Sequence, residues 1–274
     1  MVLTEAFGYF FALLIGIVLG LIGGGGSILA VPVFTYLFTI DEKLATGYSL
    51  FVVGCSAMVG GIKQYQKGTV DFRIGLIFGL PAILSITAVR LFLIPIIPIE
   101  LFTIGDIVIS RRMIILGGFA VVMIPAALSM FKRPKKNIKK GKFKMAAHNY
   151  PLILIVGFLI GSITGLVGAG GGFLIIPALV LFANIDIKTA IGTSLTIVTL
   201  KSLIGFLLGD ALVVNIDWGF LLPFTCLAIF GVFIGNYLGS YFDNSKLRKI
   251  FGYFIFVMAG FIIYMEFIDP LSIF

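Results

Sequence analysis

Few residues in the apolar stretches of this chain can do chemistry, and those that can supply hydrogen-bond donors and positive charge. Lys201 lies deep in one apolar run, 13 residues past Lys188 and eight before Gly209. Eight helical residues are roughly 12 Å, a long reach for an ammonium snorkelling to an interface. An ionisable group at that depth reads as functional, here as an attractor of anions. Arg90, five residues before Pro95, is a second such cation with an easier route to the surface. Ser49 and Ser194, with Thr193 beside the latter, carry hydroxyls that can donate to the oxygens of an oxyanion. The same hydroxyls can instead bond carbonyls of their own helices. Gln64, Gln66 and Asn236 are weaker polar candidates. The apolar runs hold no cluster of His, Asp, Glu and Cys. Cys55 and Cys226 fall in separate runs, and the single His148 lies beside a basic stretch. No catalytic residue, metal site or cofactor is therefore expected, which disfavours a membrane enzyme.

The elements that must position these groups are marked by glycines. Residues 16–32 read GIVLGLIGGGGSILAVP, and residues 161–177 read GSITGLVGAGGGFLIIP. Each is an apolar run that breaks at clustered glycines and resumes towards a proline. A repeated broken segment is the best sequence pointer to a transporter's binding site. Gly23, Gly24, Gly25 and Gly26 with Ser27, and Gly168, Gly170, Gly171 and Gly172, are the candidate substrate-binding positions at the breaks. A half-helix restarting there would present free N–H groups and its positive end, which suits an anion. The pairs Gly16/Gly20 and Gly161/Gly165 fit close helix packing. No Gly-Lys-Ser/Thr follows either run, which excludes a phosphate-binding loop. A dinucleotide fingerprint would need a soluble strand–helix context, and there is none.

The composition is 60% hydrophobic and 12% charged, and mean hydropathy is +1.18. Apolar runs long enough for helical spans recur along the chain. The period-two alternation of a membrane β-barrel is absent. The net charge of +8 does not indicate nucleic acid, because eight of the twenty cations lie in one segment at 131–149. That segment divides a first transmembrane repeat (1–130) from a second (150–274). An offset of 145 aligns Gly20 with Gly165, Gly23 with Gly168, Pro32 with Pro177, Asp41 with Asp186 and Ser49 with Ser194. One residue later Asp71 meets Asp217, both read as helix starts. Such agreement implies internal duplication. Each half reads as a broken segment (6–38; 151–183) followed by three helices (44–62, 73–94, 112–130; 188–209, 218–241, 249–267). The first half is longer through 94–110. The amino end lacks a signal peptide's basic start and is expected to be retained.

Charge arbitrates whether the broken segments cross or turn back. If both are hairpins and the linker is cytoplasmic, fifteen cations face inside and four outside. If both cross, the split is eleven to eight. The positive-inside rule favours hairpins. The expected architecture is an all-α polytopic membrane protein. It has two homologous halves, each a glycine-rich hairpin plus three transmembrane helices, related as inverted repeats. The expected location is the cell membrane, with the basic linker cytoplasmic. The partners are a small anion and the lipid bilayer, without nucleic acid. Oligomeric state is not legible.

The segments LIGGGGSILAVP and LVGAGGGFLIIP, with the trailing ATGYSL and AIGTSL, resemble the signature of the TauE/SafE sulfite exporter family, also called the 4-toluene sulfonate uptake permease family. The resemblance covers essentially the whole chain. It implies a secondary transporter of small sulfur-containing anions such as sulfite, thiosulfate or organosulfonates. An anion channel, or a carrier of another small organic anion, is the alternative. Ser85 and Val89 stand opposite Gly231 and Gly235, so the two halves are not expected to match in detail.

Overall fold

The computed structural model describes residues 2–24, 26–98, 100–104, 107–131, 150–167, 172–183, 185–211 and 216–268. The basic linker at 132–149, with His148, lies outside them, as do Gly25, Gly168, Gly170 and Gly171. The first half contains α1 (Val2–Ile22), α2 (Gly26–Pro32), α3 (Glu42–Gln66), α4 (Phe72–Ala88), a single turn α5 (Ile94–Ile96), the strands β1 (Glu100–Ile104) and β2 (Ile107–Ser110), and α6 (Arg111–Phe131). The second contains α7 (Tyr150–Val167), α8 (Gly172–Phe182), α9 (Ile187–Gly205), α10 (Trp218–Ser240) and α11 (Asn244–Ile263). Wider π turns extend α2 to Leu37, α4 to Leu93 and α9 past Gly205. Five helices are long and apolar enough to cross a membrane by length and composition. The helical plan agrees with the expected segments to within a few residues. One element was not foreseen: β1 and β2 pair antiparallel within the extra stretch of the first half.

Aspartates start the helices at matching places. Asp41, Asp71, Asp186 and Asp217 each accept a bond from a backbone N–H in the first turn of α3, α4, α9 and α10. Each thus satisfies a donor that the helix start leaves free.

The first broken segment is a hairpin. Gly26, at the start of α2, packs on Leu19 and the carbonyl of Ile15, and the Phe38 ring reaches Gly8. The chain therefore runs back along α1. Its return arm is held by an aromatic cluster: Phe34 lies 4.8 Å from Phe224, and Phe38 lies 4.8 Å from Phe220, ring to ring.

The first helix of each broken segment packs chiefly on the other half, α1 on α10 and α7 on α4. Exchanging the halves maps one pair onto the other. Gly16 sits on the Ala228 backbone and Gly161 on that of Ala82, with both pairs of helices parallel. These glycines do what GxxxG spacing predicts: they let backbones touch without side chains. Where Gly231 packs on the backbone of α1, Ser85 instead shares a 2.5 Å hydrogen bond with Ser162 of α7. The third pairing is α3 with α9. Leu50 lies at Gly205, Gly54 at Leu203 and Gly60 at Leu195, so these repeat-equivalent helices run antiparallel.

The parallel α1–α10 pair fixes the depth of the first hairpin's tip. Gly16 at Ala228 and Gly20 at Val232 put Ile22 level with Ile234 of α10. That is six residues, or roughly 9 Å, short of the end of α10 at Ser240. The first hairpin thus turns within the thickness of the bundle.

Candidate functional site

The two breaks meet through their backbones. A Cβ built on Gly172 would fall 2.6 Å from the Cα of Gly24, and one on Gly24 would overlap the Gly172 carbonyl. Gly23 has φ +77°, a left-handed conformation that glycine adopts without strain. Its amide closes on Leu19 O at 2.7 Å, while Ser27 Oγ donates to Gly24 O at 2.7 Å. Side chain and backbone together satisfy the broken helix.

One face of α9 runs past both breaks. Ser194, Val198 and Lys201 recur at i, i+4 and i+7, so they stack on one side of the helix. Ser194 Oγ shares its hydrogen between Gly23 O at 2.7 Å and Ile191 O at 2.9 Å. Val198 meets Gly172. It is the twelfth residue of the 23-residue span Ile187–Gly209, which places that contact at mid-depth. Lys201 Nζ donates to Thr164 Oγ1 at 2.9 Å, and Thr164 Oγ1 donates in turn to Gly161 O at 3.2 Å. Ser194, Lys201 and Thr164 are all fully buried. An ammonium has three donors, and Thr164 takes one. The buried polar and charged residues include Lys201 and Arg90 but no Asp or Glu, among the described residues.

The equivalent face of α3 carries Ser49, Val53 and Ser56. Ser49 and Ser56 are fully buried, and their hydroxyls make no hydrogen bond. The first half therefore has a hydroxyl, Ser56, where the second has a cation.

The structure thus brings Gly23, Gly24, Ser27, Gly172, Ser194 and Lys201 to one region, with Gly26 packed behind the first break. Ser49 lies on the matching face of α3. Thr193 does other work. Its Oγ1 accepts from Asp71 N at 2.9 Å, as Tyr48 Oη accepts from Asp217 N at 2.8 Å. These equivalent bonds pin the start of α4 to α9 and the start of α10 to α3. Thr193→Val and Tyr48→Phe are each expected to lower stability by about 1 kcal/mol. The detergent melting temperature should fall by a few degrees, and Thr196→Val, whose hydroxyl bonds only its own helix, should change it little. Arg90 is 5% exposed and packs its stem on Gly209. It stands away from the Lys201 stripe, since Gly209 is eight residues, or roughly 12 Å, further along that helix.

Thr164 was missed in the sequence. A hydroxyl beside Gly165 in an apolar run is a weak signal until the neighbouring lysine is known. Asn236 was noted, but its pairing with Gln64 across 172 residues was not.

A polytopic helical bundle with paired broken helices, and a buried cation one turn along the helix that meets them, fits a membrane transporter. The sulfite exporter TauE/SafE family matches residues 9–262, and the chain belongs to that family. A probable membrane transporter protein of Xylella fastidiosa strain 9a5c is 31% identical over 254 residues, covering 92% of each chain. A second, from Xylella fastidiosa strain Temecula1, is 30% identical over 260 residues, again covering 92% of each. The probable membrane transporter protein YdhB of Bacillus subtilis is 25% identical over 246 residues, 89% of this chain and 92% of its own. No solved structure matches.

Proposed function

We propose that this transporter carries a small sulfur-containing anion, such as sulfite, thiosulfate or an organosulfonate, around the meeting point of the two hairpins. The observation that carries this reading is Lys201: a fully buried ammonium with donors left over, on the helix face that lines both glycine breaks. An uncompensated charge at this depth is costly unless a counter-ion visits it. The unpartnered Ser49 adds a donor from the first half.

The mechanism we infer is alternating access. The antiparallel contact of α3 with its equivalent α9 supports a two-fold axis in the membrane plane. In inverted repeats of this kind the halves rock about a fixed site. Full burial of the site residues supports an occluded form. Export is the favoured direction, because no buried carboxylate among the described residues offers a coupling group. At about −100 mV a monovalent anion gains roughly 2.3 kcal/mol on leaving the cell. The cell membrane with the basic linker inside is the location that fits.

Purified protein in liposomes should release trapped radiolabelled sulfite faster than empty vesicles do, and external unlabelled sulfite should drive counterflow. Counterflow separates a carrier from a channel. If sulfite, thiosulfate and simple sulfonates all fail to move, the substrate class is wrong.

A further inference from the structure

The far ends of α1 and α7 are flanked by a pair of equivalent positions with different chemistry. Asn236 of α10 lies beside Gly20, near the end of α1. Its equivalent, at the later offset of 146, is Arg90, which follows the Val89 that packs on Gly165 of α7. The residues across from them are equivalent too. Gln64 Nε2 donates to Asn236 Oδ1 at 3.0 Å, whereas Gly209 leaves room for the Arg90 stem.

Asn236 is 3% exposed, and its Nδ2 has no hydrogen-bond partner. The bonds around it form a directed chain. Thr69 Oγ1 donates to Gln64 Oε1, and Gln64 Nε2 donates to Asn236 Oδ1. The chain ends on a buried N–H₂ with nothing to donate to, and such a group is costly to leave unmet. A donor is what an anion takes, and the equivalent position of the other half carries a guanidinium.

The two positions face opposite ends of the bundle. α10 runs parallel to α3 (Gly60 at Val232), α4 runs parallel to α9 (Gly79 at Ile197), and α3 opposes α9. The carboxyl ends of α4 and α10 therefore point to opposite sides.

We propose that Asn236 and Arg90 are a matched pair of anion-contact sites, one on each side of Lys201, neutral at the end of α10 and charged at the end of α4. This rests on the reading of the protein as an anion carrier. The anion touches Asn236 Nδ2 when the path is open on one side and the Arg90 guanidinium when it is open on the other. The unequal pair makes apparent affinity for the anion differ between the two faces.

Initial rates of labelled sulfite flux test this in liposomes whose protein orientation is fixed by selecting one inserted population. Asn236→Asp keeps an oxygen for Gln64 and replaces the donor with a repelling charge. It should raise KM on the α10 face by about tenfold or more, the worth of a hydrogen bond to a charged group, and leave KM on the α4 face unchanged. The double change Gln64→Gly with Asn236→Arg rebuilds the Arg90 arrangement at the end of α10 and should lower KM on the α10 face towards that of the other. It stands independently should the aspartate variant fold poorly. Unchanged KM on the α10 face in the folded variants, or equal shifts on both faces, would overturn the assignment. A wild-type protein that moves no sulfite, thiosulfate or sulfonate above empty vesicles would defeat the carrier reading itself, a separate outcome.

Discussion

Lys201→Met is expected to cut anion flux by about a hundredfold while leaving the protein as stable as before or more so. The two effects have opposite signs because they have different origins. Flux depends on a positive charge that meets the anion in a low-dielectric interior, where one charge-assisted hydrogen bond contributes roughly 3 kcal/mol. Stability bears the cost of holding that charge out of water. Replacing a buried ion by an apolar group of similar shape is often neutral or stabilising by about 1–4 kcal/mol. Thr164 is not orphaned by the change, since its hydroxyl still donates to Gly161 O. A melting curve and a flux measurement on the same preparation separate the two. A lysine that only helped the bundle fold would give lowered stability with flux per folded molecule retained, and that result would falsify the anion-contact role.

Gly24→Ala is expected to damage both folding and transport. The added methyl meets the backbone of Gly172, and backbone cannot turn aside as a flexible side chain can. Overpacking of this kind costs about 3 kcal/mol. Yield in the membrane should fall sharply, and surviving protein should be transport-deficient because the two breaks are pushed apart. Gly118→Ala is the control. Nothing lies within 4 Å of a Cβ at Gly118 in α6, and helix propensity there favours alanine by up to about 1 kcal/mol. Equal behaviour of the two variants in yield and flux would show that close approach at Gly24 is dispensable.

Much of the fold could be read from the residues because membranes simplify the problem. Apolar run length marks helices, glycine clusters mark breaks, and duplication doubles each signal. Hairpins in both halves were inferred from a count of cations, and the first appears in the contacts of Gly26 and Phe38 with α1. The strands β1 and β2 were missed because ELFTI and IVIS are short apolar runs without clear period, which helix and strand share. The site was legible as a list and not as an arrangement. Lys201, Ser194 and Asn236 each drew notice as polar groups in apolar runs. Their partners Thr164, Gly23 and Gln64 lie 37, 171 and 172 residues away in the chain. Such pairings arise only when the halves dock. Thr193 illustrates the reverse: a hydroxyl fit for a ligand is occupied by the N–H of Asp71.

The unlike ends of α4 and α10 carry a consequence for energetics. Arg90 at one end and Asn236 at the other let the two faces bind an anion with unequal strength. In a carrier with no coupled ion, microscopic reversibility then constrains the rates. Flux that starts from the face that binds more tightly must have the lower maximal velocity, so that the ratio of maximal velocity to KM, taken without a membrane potential, is equal in both directions. The asymmetry built into these two positions can set how quickly the anion gradient relaxes and at which concentrations each face saturates. It cannot set where the gradient comes to rest, which only the membrane potential and the concentrations themselves decide.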